Sequence, residues 1–230
     1  MGVLDRAACP VEPESRAFTD AALAELRAKS WSPAGCANFV GRLTVRSVEQ
    51  IAAHPRPAVE ISVLHGLFVV AARGQGRKWI TTSWLMAITH LGLLGERRSI
   101  GWANAISLTR ANLVATGEPL GRWLGVVAAA SDKLDGTLAR RHGPTMFGFY
   151  ADSLADAAFW TWLGARRDPS RLVLAASVAA WAAPVIAVTA ASIAKGEMVE
   201  SPRPALLRPA AAMQVVLAAR ALRTRPPAPA

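Results

Sequence analysis

The sequence predicts an all-α protein: a polytopic membrane helix bundle of about six to seven membrane helices, with an N-terminal interfacial amphipathic helix ahead of them. Three observations predict it. The chain is 52 % hydrophobic and only 18 % charged, which is too apolar for an ordinary soluble domain. Apolar segments of helical length recur between short loops marked by Gly, Pro and Arg. The formal charge of +10, carried mostly by Arg, collects at the ends of those segments. There the side chains snorkel to headgroups and meet anionic lipid, which points to a membrane surface and away from nucleic acid. The length fits one domain. Residues 1–57 read as a tail with interfacial helices, 58–222 as the membrane domain, and 223–230 as a disordered Arg-Pro-rich tail. Cys9 and Cys36 lie far apart without a His-rich neighbourhood, so neither a disulfide framework nor a zinc site is expected. Residues 1–20 lack the apolar core of a secretory signal.

The elements follow in order. Residues 1–14 read as a loose tail, and Asp20 as the cap of a short helix over 21–29. Ser32-Pro33 supplies an N-cap followed by Pro at the first helical position. Over 34–53, Phe39, Val40, Leu43, Val48 and Ile51 recur at helical spacing with Arg42 and Arg46 off the stripe, the pattern of an interfacial helix. Pro55 and Pro57 end it. Residues 59–72 and 79–94 are the first two candidate spans; His65 and His90 within them are expected to be hydrogen-bonded structural residues, not ligands. The next helix carries Asn104, Ser107 and Arg110 at i, i+3 and i+6, on one face. Gly117-Glu-Pro119 turns into a helix over 120–141, and a second follows over 147–163. The longest clean span is 172–194, with Pro184 inside, and a last helix covers 205–222.

The chemistry concentrates between Asp132 and Asp156. Asp132 and Asp135 share a helix face, as do Asp152 and Asp156 on the next helix. Gly143-Pro144 turns the chain between them, so the helices run antiparallel and the four carboxylates can converge. At a bilayer centre that cluster would cost on the order of 10 kcal/mol on insertion scales. Hard divalent cations offset it, and Mg²⁺ commonly shares such sites with substrate phosphates. Two ions would also stabilise the attacking and leaving oxygens of a phosphoryl displacement.

The pattern D-x2-D-G-x2-A-R-x7-G-x3-D-x3-D, filled by Asp132, Asp135, Gly136, Ala139, Arg140, Gly148, Asp152 and Asp156, resembles the signature of the CDP-alcohol phosphatidyltransferases. A chance match at a given start is on the order of 10⁻¹⁰ at average residue frequencies. Asn104, Ser107 and Arg110 are similar to the Asn-x-x-Thr-x-x-Arg opening of many members, with Ser in place of Thr. The resemblance implies an integral membrane enzyme of phospholipid biosynthesis, in a bacterial-type cytoplasmic membrane with its site facing the cytosol. It would move a substituted phosphoryl group from a CDP-alcohol, such as CDP-diacylglycerol, to an acceptor hydroxyl and release CMP. It implies two Mg²⁺ or Mn²⁺ ions held by Asp132, Asp135, Asp152 and Asp156, with Asp156 also the general base. Gly136, Ala139, Arg140, Asn104 and Ser107 would hold the CDP moiety. Arg110 reads either as part of that face or as a buried counter-charge to the acids. The partners implied are a CDP-linked lipid, a polar or phosphorylated acceptor and the bilayer, with a homodimer left open and no nucleic acid.

The family has six spans, whereas this chain fits seven, with two ahead of the usual first helix. Arg73–Lys78 and Arg166–Arg171 would lie opposite the signature loop, so the positive-inside rule is poorly obeyed. Lys195, Arg203 and Arg208 form a basic set after the signature, as suits a phosphorylated acceptor. Two other readings use the same residues: Mg²⁺-dependent ionisation of a prenyl diphosphate on the Asp cluster, and a non-catalytic membrane scaffold.

Overall fold

The computed structural model describes residues 13–168, 170–199 and 204–223. The expected tails at 1–12 and 224–230, and Arg203, fall outside them. Among the described residues all regular structure is helical: α1 (Pro13–Ala28), α2 (Pro33–Ala53), α3 (Pro55–Ala71), α4 (Arg77–Thr89), α5 (Gly101–Thr116), α6 (Leu124–His142), α7 (Met146–Arg167), α8 (Arg171–Lys195) and α9 (Pro204–Arg223), with short 3₁₀ turns at Leu91–Leu94 and Glu118–Trp123.

The boundaries follow local chemistry. Ser32 caps α2 by accepting from the Gly35 N–H at 3.2 Å, with Pro at the first turn as the sequence predicts. Thr145 and Ser170 cap α7 and α8 in the same way. Three expectations need correction. α1 starts at Pro13, upstream of Asp20, so Asp20 is not its cap; the Asp20 carboxylate instead accepts from the Met198 N–H at 2.6 Å. The second candidate span is broken: α4 stops at Thr89, where the Thr89 hydroxyl and the His90 ring bond back to the Leu85 and Met86 carbonyls, and a 3₁₀ turn completes the segment. The first signature helix begins at Leu124, not at 120, because Gly121 adopts φ 51°, ψ −131°, which no continuing helix accepts.

α3 to α9 run alternately up and down. One end of the bundle gathers residues 53–57, 95–100, 142–146 and 195–199; the other gathers 72–77, 117–123, 167–168 and 170–171. α5 sits at the centre. It packs along both α6 and α7, which touch each other only marginally. Ile61, Ile88, Leu91, Leu94, Leu108 and Phe147 form one apolar core towards α3 and α4. Leu124, Ala128, Phe159, Trp160, Leu163 and Leu217 form the other, which joins α6 and α7 to α9. His65 is buried, facing the Ile61 carbonyl at 2.8 Å and the Ser83 hydroxyl at 3.1 Å, a structural pairing as expected.

α2 lies against α4 and the first 3₁₀ turn. Arg42 and Arg46 stack over the Phe18 ring of α1, and Arg42 also pairs with Glu25. Val40, Val45 and Val48 are therefore left facing outward. By length and composition, α8 alone among the described helices is sufficient to cross a membrane.

Candidate active site

Three helices build the site. One turn of α6 presents Asp132 and Asp135, one turn of α7 presents Asp152 and Asp156, and α5 inserts Arg110 between them. Arg110 is fully buried and meets all four carboxylates. Its Nη1 donates to Asp135 Oδ2 at 2.9 Å and its Nη2 donates to Asp152. Its Nη2 also lies 3.6 Å from Asp132 Oδ1, and its Nε 2.8 Å from Asp156 Oδ1. The acids converge as the spacing predicts, but around a cation on a third helix. Of the two readings of Arg110, the structure shows the counter-charge.

A guanidinium fork offers several donors in one plane, which is why one side chain serves four acids. It brings one positive charge to four carboxylates in a largely buried cluster. The exposures are uneven: Asp135 is 4 % exposed, Asp152 13 %, Asp156 14 % and Asp132 28 %. The site therefore opens on the Asp132 side.

One oxygen each from Asp132, Asp152 and Asp156 lies within 4.8 Å of the other two. That donor set, three carboxylate oxygens, fits a hard divalent cation. Asp135 stands apart from the trio, since its Oδ2 accepts from Arg110 and from the Ser107 hydroxyl at 2.7 Å.

The other candidate residues surround this centre unevenly. Asn104 is buried and donates to the Ile100 carbonyl at 2.7 Å and to Thr145 Oγ1 at 3.4 Å, tying α5 to the start of α7. Gly148 lets those helices meet, because a Cβ there would sit 2.4 Å from Asn104 Oδ1. Gly136 and Ala139 are partly exposed on α6, and Arg140 donates to Thr137 at the surface. Lys195 closes α8 and its carbonyl accepts from Arg27, while Arg208 is exposed near the start of α9. Nothing described brings either into contact with the acids.

One residue of the site escaped the sequence. Gln214, on α9, donates through Nε2 to Asp156 Oδ2 at 2.6 Å. It lies 58 positions from its partner and belongs to no motif. The available signal was a lone amide within the apolar run Ala210–Ala219.

The family model for CDP-alcohol phosphatidyltransferase matches residues 103–223, just over half of the chain and all three helices of the site. No curated protein and no solved structure matches the chain. With its signature acids gathered on α6 and α7 and the family match running from α5 through α9, the chain belongs to the CDP-alcohol phosphatidyltransferase family.

Proposed function

We propose that the protein transfers a phosphatidyl group from a CDP-linked lipid, such as CDP-diacylglycerol, to the hydroxyl of a polar or phosphorylated acceptor within a membrane. The observation that carries this reading is the convergence of Asp132, Asp135, Asp152 and Asp156 in one buried cluster. Apolar side chains that face outward on several helices, including Val63, Leu67, Leu85, Leu172 and Val185, support a lipid surround.

Asp132, Asp152 and Asp156, with Asp135 behind them, would hold Mg²⁺ or Mn²⁺. When bound, the ions supply charge neutralisation for the pyrophosphate and for the departing CMP. Asp156 takes the proton of the acceptor hydroxyl as the acceptor oxygen bonds to the lipid-bearing phosphorus. The bond from that phosphorus to the CMP oxygen breaks, and the electron pair leaves with CMP. Gln214 fixes one Asp156 oxygen and leaves the orientation of the other to Arg110. Ser107 and Arg110 set Asp135. Asn104, Ser107, Gly136, Ala139 and Arg140 form the proposed nucleotide side. Lys195, Arg203 and Arg208 are the proposed acceptor contacts, an assignment resting on their charge and their place after the signature.

The test incubates purified protein with Mn²⁺ or Mg²⁺, CDP-diacylglycerol and a panel of polar alcohols, and follows CMP. Asp156→Asn is expected to lower kcat by about 10²–10⁴-fold, the usual worth of a general base. Gln214→Ala is expected to lower kcat by about tenfold with little change in donor KM, as suits loss of an orienting contact. CMP release that survives Asp156→Asn would remove the base assignment. CMP release that is absent with every alcohol, while CDP fails to protect the protein, would remove the nucleotide-linked donor.

A further inference from the structure

A cavity of about 430 Å³ lies at the end of the bundle that carries the α6–α7 loop. Residues 53–57 and 95–98 line it. Three arginines, Arg56, Arg97 and Arg98, are among the lining residues, against one acid, Glu96. We propose that this cavity is a seat for a phosphate group, carried either by a lipid headgroup or by a soluble phosphate ester.

The walls are fixed. The His54 ring bridges the Gln50 and Gly95 carbonyls, each at 2.9 Å, and so joins the two lining segments. Arg97 donates to the His142 and Gly143 carbonyls at 2.9 and 2.8 Å. Glu60 accepts from the Ser99 hydroxyl and the Ile100 N–H, both at 2.8 Å, and from Arg56 at 3.0 Å. The backbone that carries the guanidinium groups is thereby held in place before any ligand arrives.

Arg97 is engaged with the α6–α7 loop, and the other two cations keep donors to spare. Among the described residues Arg98 has no partner, and Arg56 spends one nitrogen on Glu60 while its side chain stays 73 % exposed. Planar guanidinium forks match phosphate oxygens, and basic pockets at the end of a helix bundle are where headgroup phosphates are recognised. The volume lies in the range of small-ligand sites. The lining residues precede the segment matched by the family model. The cavity's charge is opposite to that of the Asp cluster, so phosphate here and cations there do not compete.

The experiment uses the full chain in phosphatidylcholine nanodiscs. One arm measures equilibrium binding of radiolabelled inorganic phosphate and glycerol phosphate. The other adds phosphatidic acid and counts retained lipid by native mass spectrometry. Saturable binding is expected in at least one arm, weakened at least about tenfold by the pair Arg56→Ala and Arg98→Ala. Both side chains lie at the rim, so the melting temperature is expected to hold; if it falls, Arg98→Gln alone is measured in its place. Loss in the first arm identifies a soluble ester, and loss in the second a lipid headgroup. No saturable binding in either arm, or equal binding by the variants, overturns the proposal.

Discussion

Arg110 illustrates how one side chain can decide the character of a site. Four carboxylates gathered in a low-dielectric setting repel one another, and the Arg110 guanidinium among them meets all four as a counter-charge. Replacing it with an uncharged side chain removes a counter-charge shared by all four buried acids. Arg110→Gln is therefore expected to destabilise the apo protein by about 3–5 kcal/mol. Millimolar Mg²⁺ should restore much of that loss, since cations take over the neutralisation. Thermal unfolding of detergent-solubilised protein with and without Mg²⁺ checks this; a variant that melts like the parent in EDTA would remove Arg110 from the balance. The acids were legible because their spacing is a motif. The centrality of Arg110 was half-legible, as one of two readings of a helix-face pattern. Gln214 was not, because a contact between α7 and α9 leaves no periodicity behind.

At the level of elements, the hairpin of α6 and α7 proves to be a three-helix unit. Gly143-Pro144 does reverse the chain, but the carboxylates meet across α5, which packs on both partners. Gly148 is where that arrangement is tightest. A methyl group there would collide with Asn104, which is held by its bonds to Ile100 and Thr145. Gly148→Ala is expected to cost about 1–3 kcal/mol, the usual range for overpacking, and to raise the KM for the CDP-lipid as Asn104 is displaced. An unchanged melting point together with an unchanged KM would show that α5 and α7 separate freely. Helix positions followed from apolar periodicity. Helix ends did so only where a cap announced them: Ser32 was readable, whereas the break at Gly121 needs a backbone angle that no residue pattern specifies.

For the whole molecule, the ends of the bundle are tied by polar contacts between distant segments. Asp168, between α7 and α8, pairs with Arg220 near the end of α9 and accepts from the Ser170 N–H at 2.9 Å. The hydrogen bond from Arg220 holds the Asp168 carboxyl below its ordinary range. A carboxyl depressed in the folded state contributes its stability above the unfolded value of about 3.9, and loses it as pH falls through the lower folded value. The melting temperature of the parent should therefore exceed that of Asp168→Asn at neutral pH, with the gap closing below about pH 4. A gap constant from pH 7 to pH 3 would show that the carboxylate charge is not what binds α9. Composition foretold an all-helical bundle, and the helices realise it. Strong basicity at both ends is why charge bias could not orient it: Arg73, Arg77 and Lys78 stand at one end, Arg56, Arg97 and Arg98 at the other.

The N-terminal helix adds a consequence for synthesis. Asp20, Arg16 and Arg27 of α1 bond to the backbone of Met198 and Lys195, between 168 and 182 positions later in the chain. At ordinary translation speeds of about 5–20 residues per second, those anchors leave the ribosome roughly 10–30 s after α1 does. Through that interval the first helix lacks those anchors and rests on α2, whose Arg42 and Arg46 stack over Phe18.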